Sequence, residues 1–234
     1  MTRRAAGPPS PTPTFTVDTA WLDAPGPPVA PAGVLLGADA DGHPVSVVLL
    51  RPAATRVVVL GGLHLAQQVV LRAIAAGARV VVVTGRPPAW EAVRRSTGSR
   101  ASDDRVVVRQ DAPPDPPPAG PDEPLLVVHD RGATTRGPAP AGGPWRTTLV
   151  VLPALVPAVT DLADDADLVL LTRMPPHEAE LAGRLWRLTP AMTETLQTMP
   201  EHGVVALGRN TWRRVDRVTA PRETALIGPV RRGD

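Results

Sequence analysis

Hydrophobic positions along the chain fall into short, Val-rich runs separated by Gly, Pro and charged residues, and residues 1–32 contain no such run. That opening segment carries Pro-Pro-Ser-Pro-Thr-Pro-Thr and Ala-Pro-Gly-Pro-Pro-Val-Ala-Pro. Fixed φ angles and missing amide donors oppose both helix and sheet there, so a disordered, Pro-rich leader is expected. Order is expected from Gly33. Val-Leu-Leu-Gly-Ala-Asp and Pro-Val-Ser-Val-Val-Leu-Leu flank Ala-Asp-Gly-His, and the Asp41-Gly42 pair supplies turn residues for a β-hairpin. Residues 56–60 then read as a β-branched strand, Gly61 and Gly62 as a turn, and 65–76 as a helix ended by Gly77. The Val-rich run 79–84 reads as a strand buried on both faces, which completes a βαβ unit of a parallel sheet.

Downstream, Pro87 and Pro88 open a short helix over 89–95, 96–104 form a loop, and 105–109 form the next strand. The Pro tract at 111–124 is expected to be an exposed connection. Further strands are predicted at 125–128, 148–152 and 168–171, with a brief helix at 158–163. After Met174 the period changes to that of helices. Residues 175–188 and 190–199 each begin with Pro, and Leu181, Leu185 and Leu188 fall on one face. Residues 203–207 and 212–218 then pair as a hairpin. The predicted fold is α/β: a Rossmann-like three-layer sandwich with a mostly parallel sheet, an N-terminal β-hairpin and a C-terminal helical pair plus hairpin. The expected division is a leader over 1–32, the α/β domain over 33–172, a C-terminal subregion over 173–228 packed on it, and a flexible tail over 229–234.

Composition narrows the function classes. With 234 residues and 43% hydrophobic content, one substantial core can form. The high isoelectric point, about 10.6, reflects Arg in place of all Lys, because 25 basic residues face 23 acidic ones. Short, scattered Arg pairs without interleaved aromatics argue against nucleic acid as a partner. No Cys is present, which excludes disulfides and thiolate metal sites. The N-terminus lacks the apolar stretch of a secretory signal, and no apolar run is long enough to span a bilayer. A cytoplasmic protein is expected, with a peripheral place at the inner face of the cell membrane if it docks on a membrane complex.

Candidate chemistry centres on the turn after the first buried strand. Gly61, Gly62, Leu63 and His64 stand where α/β nucleotide-binding proteins hold phosphate at a helix N-terminus. A possible nucleotide is therefore the cofactor to test, with Thr84 and Arg86 at the end of the second strand near its ribose or 2′-phosphate. The dinucleotide fingerprint is incomplete, and a chain without Lys cannot supply Gly-Lys-Ser/Thr. His43, His129, His177 and His202 lack metal-ligand spacing, so no metal is assigned. The pairs Asp103-Asp104 and Asp164-Asp165 read as solvated loop charges. Gly-x-Ser-x-Gly is absent, so no catalytic residue is assigned.

The stretch from Gly61 to Trp90, Gly-Gly-Leu-His-Leu-Ala-Gln-Gln-Val-Val-Leu-Arg-Ala-Ile-Ala-Ala-Gly-Ala-Arg-Val-Val-Val-Val-Thr-Gly-Arg-Pro-Pro-Ala-Trp, resembles the cytosolic region of EccE, a component of type VII (ESX) secretion systems. The hairpin before it and Pro-Arg-Glu-Thr-Ala-Leu-Ile-Gly ending at Gly228 are also similar to that family. This resemblance implies a non-catalytic accessory or scaffolding subunit whose partners are other secretion-system subunits. EccE proteins begin with transmembrane helices and this chain with a Pro-rich segment, which implies either a soluble relative recruited by protein contacts or a resemblance at fold level only. Residues 168–227, with Pro-Pro-His-Glu and Leu-x-x-Met-Pro-Glu-His-Gly, resemble the C-terminal part of FtsK/TraG-type translocation ATPases. That resemblance implies a degenerate, non-hydrolysing relative, because the Walker lysine is absent. A nucleotide-sugar-binding, glycosyltransferase-like enzyme is the alternative. Partner contacts are expected at Trp21, Leu22, Trp186 and Trp212, since Trp is enriched at binding hot spots.

Overall fold

β-Branched side chains suit a pleated, buried surface, and the Val-rich runs become the strands of one sheet. The structure, a computed structural model, describes residues 33–97, 105–113, 117–130 and 142–229. The leader with Trp21 and Leu22, the Asp103-Asp104 pair and residues 230–234 lie outside the described residues. In chain order the strands are β1 Gly33–Ala38, β2 Pro44–Val48, β3 Thr55–Leu60, β4 Arg79–Thr84, β5 Val106–Arg109, β6 Leu125–Asp130, β7 Arg146–Leu152, β8 Leu168–Leu171, β9 Gly203–Gly208 and β10 Thr211–Arg217. The helices are α1 Leu63–Ala75, α2 Glu91–Arg95, α3 Thr160–Asp164, α4 Pro176–Leu185, α5 Pro190–Thr198 and α6 Pro221–Ile227.

The sheet order is β2-β1-β10-β9-β8-β3-β7-β6-β4-β5. Strands β8, β3, β7, β6, β4 and β5 are parallel to one another. The two hairpins β1–β2 and β9–β10 extend the sheet from β8 by antiparallel pairing. The fold is thus a three-layer α/β sandwich with a mostly parallel sheet, an N-terminal hairpin and a C-terminal helical pair plus hairpin.

The period of two along a strand sorts the core into layers. Val57 and Val59 of β3 pack in the layer under α1, with Val69, Val70 and Trp90. Val58 and Leu60 point the other way, into the layer under α3, α4 and α5, with Ala163, Ala179 and Leu196. A smaller cluster, Val81, Val83, Leu125 and Val127, lies on β4 and β6 and is covered in part by Ala119. The Pro tract is therefore not wholly an exposed connection, since Ala119 packs on the core and Pro117 O accepts a hydrogen bond from Arg146 Nη2 at 3.1 Å.

Two helix ends have the same physical cause. Gly77, at φ +94°, follows α1, and the Ala78 amide donates to Ala73 O at 2.9 Å, closing a Schellman motif. Arg187 does the same at φ +51° after α4, where the Leu188 amide donates to Gly183 O at 3.0 Å. The helix predicted to reach residue 188 therefore stops at Leu185. The buried positions of α4 are Ala179 and Ala182, while Leu181, Leu185 and Leu188 are only partly buried beside them. Among the described residues, no helix is long and apolar enough to cross a membrane.

Candidate functional site

Strands β3 and β7 are neighbours, but α1 leaves β3 over one face of the sheet and α3 leaves β7 over the other. Such a reversal opens a crevice at the carboxyl ends of the strands, the usual ligand position in open α/β sheets. A cavity of about 200 Å³ lies there. Gly61 and Gly62 after β3, Pro153 and Ala154 after β7, and residues 172–175 after β8 line it, together with Glu178, Glu201 and Arg217.

The turn that enters α1 is tight. β3 ends at Leu60 and α1 begins at Leu63, so only Gly61 and Gly62 connect them, at φ +141° and +98°. Both values lie in the region that favours glycine. A Cβ at Gly61 would stand 1.8 Å from Thr172 Oγ1, and the Thr172 amide donates to Leu60 O at 2.9 Å. The turn is pressed against the end of β8. A phosphate cradle of the Walker type needs a longer loop whose amides wrap the phosphates and a Lys that reaches them. A two-residue turn in a chain without Lys does not fit a triphosphate in that way, and β7 runs into Leu152-Pro153-Ala154 without a carboxylate.

Arg217 brings a charge to the cavity. It follows Val215 on the inward parity of β10, is 9% exposed, and donates to Glu201 O at 2.8 Å and His202 O at 3.3 Å. Burial, reinforced by the nearby Arg72 charge, lowers its pKa to about 10, so the guanidinium remains protonated at neutral pH. Glu178 Oε2 accepts the Leu155 amide at 2.8 Å, and Arg173 faces Glu201 at 3.9 Å. Sequence reading singled out neither Arg173 nor Arg217, and Glu178 and Glu201 stood only within the motifs of the FtsK/TraG-type resemblance. The available signal was parity: an Arg two residues beyond a buried Val on one strand.

The remaining predicted residues lie elsewhere. Leu63 is in the core under α1. His64 is buried, with Nε2 3.2 Å from Gly228 O beyond α6. Thr84 ends β4 and Arg86 lies two residues beyond it, and β7 and β6 separate β4 from β3. There they surround Asp130 at the end of β6. Thr84 Oγ1 donates to Asp130 Oδ2 at 3.0 Å, Trp90 Nε1 donates to the same oxygen at 2.8 Å, and Arg86 Nη2 donates to Oδ1 at 3.0 Å. Burial of Asp130 opposes its ionisation, but the bonds from Arg86, Trp90 and Thr84 outweigh it and hold the pKa below the ordinary value. The structure thus brings Gly61 and Gly62 to the cavity and places Thr84 and Arg86 in a separate, saturated cluster.

The fold resembles that of VirB4 of Thermoanaerobacter pseudethanolicus. The two share 11% identity at a TM-score of 0.54, over 82% of this chain and 98% of that one. Weaker likenesses are to Thermomonospora curvata EccC (ATPases 2 and 3) in complex with a signal sequence peptide and to the genome packaging NTPase B204 from Sulfolobus turreted icosahedral virus 2. The first has TM-score 0.49 and 14% identity over 85% of this chain and 42% of that one. The second, in complex with AMPPCP, has 0.47 and 12% over 71% and 99%. No family model and no curated protein matches the chain.

Of the expected partner contacts, Trp186 and Trp212 are half-buried against the layer under α4 and α5. The large apolar side chains most exposed among the described residues are instead Leu35, Val48 and Val218. Leu35 and Val48 share the outward face of the β1–β2 hairpin.

Proposed function

We propose that this chain is a non-hydrolysing relative of translocation ATPases that serves as an accessory domain of protein-secretion machinery. The observation that carries the reading is the turn at the switch point: β3 passes into α1 through Gly61 and Gly62 alone, in a chain without Lys. A phosphoryl-transfer site depends on positioning and on fixed positive charge around the transferred group, and this turn offers neither a wrapping loop nor an ammonium. The VirB4-like fold and the resemblance of residues 168–227 to FtsK/TraG-type proteins favour translocation ATPase ancestry over the EccE relationship. Retention of the fold without the hydrolytic parts suits a domain that contacts other subunits.

The purified chain should release no phosphate from ATP above the buffer blank, with or without magnesium. It should co-purify with secretion-system subunits when expressed beside them. ATP turnover that Gly62→Val abolishes would overturn the inert assignment. A chain that stays a free monomer beside those subunits would overturn the accessory role. The nucleotide reading has its own outcome: a saturable rise in Tm with ATP or a nucleotide sugar, lost in Gly62→Val, would return the turn to ligand binding.

A further inference from the structure

We propose that the cavity at the carboxyl ends of β3 and β8 binds a single aliphatic carboxylate, held by the guanidinium of Arg217. A guanidinium offers five N–H donors in a planar fork. In Arg217, Nε and Nη2 are directed to the carbonyls of His202 and Glu201, and both partners are neutral oxygens. Among the described residues, no carboxylate lies within ion-pair distance of Arg217, although the residue is 9% exposed and lines the cavity. A buried cation is costly unless a counter-charge compensates it, and the planar fork is shaped for a carboxylate.

Charge and size choose among anions. Arg173 and Arg217 stand against Glu178 and Glu201, so the lining charges balance. Phosphate would turn further oxygens toward Glu178 and Glu201 and has no alkyl group for the apolar wall, whereas a carboxylate directs its two oxygens into the planar fork and its alkyl group away from it. The volume of about 200 Å³ falls below the roughly 300 Å³ at which pockets for drug-sized ligands begin. It suits a small group. Leu60, Ala154 and Met174 add apolar wall for a short alkyl segment. Two sources share this chemistry: a free monocarboxylate and the carboxyl terminus of a peptide. The inference stands apart from the accessory role, since either can fail alone.

The test is thermal unfolding of the full chain at pH 7 and constant ionic strength, titrated with sodium isobutyrate, sodium chloride or sodium phosphate. Isobutyrate should give a saturable rise in Tm of about 3 °C at tenfold excess over its Kd. Chloride and phosphate should give none. Arg217→Gln should abolish the rise. Ala154→Leu, which fills the cavity without touching the Arg217 bonds, should abolish it too and decides the matter if Arg217→Gln fails to fold. A matched pair of acetyl-Ala-Ala-Val peptides, one with a free terminus and one amidated, separates the sources. Stabilisation by the free-terminus peptide alone, beyond that by isobutyrate, assigns a peptide end; isobutyrate acting without either peptide assigns a free carboxylate. No saturable effect of isobutyrate or the acidic peptide, an equal effect of phosphate, or an effect that survives Ala154→Leu would overturn the proposal.

Discussion

Two groups of polar side chains sit at the carboxyl ends of different strands of one parallel sheet, and they differ in how completely their hydrogen bonds are satisfied. At the ends of β4 and β6, Asp130 receives donors from Thr84, Arg86 and Trp90, and its carboxylate is enclosed. Above β3 and β8, Arg217 meets carbonyl oxygens and faces a cavity. Position on an α/β sheet alone would make both ends ligand sites. Satisfaction divides them, because a buried polar group whose partners are all within the protein has no capacity left for a ligand. The first end locks β4, β6 and the turn at Pro87–Trp90 together; the second retains binding chemistry.

The largest test of this contrast is Asp130→Ala. It strands the buried Trp90 and Thr84 donors and removes the carboxylate that Arg86 binds, and should cost about 2–4 kcal/mol in urea unfolding. A loss under about 1 kcal/mol would mean that the cluster is not a lock. Next comes Gly61→Ala, which combines φ +141° with a Cβ placed against Thr172. It should cost about 2–3 kcal/mol, and adding Thr172→Ala, which removes the hydroxyl and methyl nearest the new Cβ, should recover only part, since the backbone angle remains strained.

A smaller effect is expected at the junction of α1 with α6. Arg72 Nε and Nη2 donate to the two Glu223 oxygens at 2.6 and 2.9 Å, Arg72 also binds the Leu36 and Val218 carbonyls, and Glu223 Oε2 accepts the Ala220 amide at 3.0 Å. Glu223→Gln should cost about 1–2 kcal/mol and speed amide exchange in α6 first, because this knot ties that helix to the domain.

The smallest effect is a slope. Asp130 and Glu223 both have pKa values below their ordinary ones: burial works against ionisation in each, and the bonds from Arg86, Trp90 and Thr84 or from Arg72, Ala220 and Gln68 outweigh it. The unfolded state therefore binds protons first. This stability is present above the ordinary carboxylate pKa of about 4 and is lost as pH falls through the folded values. Unfolding free energy measured between pH 6 and pH 3 should decline, and Asp130→Asn should flatten the decline. An unchanged slope would show that Asp130 titrates normally and that its donors do not favour the carboxylate.

Much of the fold was legible because strand burial leaves a local mark. β4 and β8 occupy residues 79–84 and 168–171 as read, and β3 and both hairpins differ from expectation only at their ends. β7 begins at Arg146, two residues before its predicted start, because Thr147 hides its hydroxyl by donating to Leu49 O at 2.6 Å. Helix α6 was not foreseen: it has seven residues and none buried, and it depends on Glu223 reaching Arg72 across 151 positions of sequence.

The chain by itself determined the strand runs, the helix stop at Gly77, the Gly-Gly turn and the absence of a lysine to bind phosphate, all of which rest on neighbouring residues. Only the tertiary structure decided that Arg86 belongs to Asp130, that His64 lies under Gly228, and that Arg217 opens onto the switch-point cavity. Each of these depends on strand order, and strand order is set by the faces over which the connecting helices pack rather than by any local pattern.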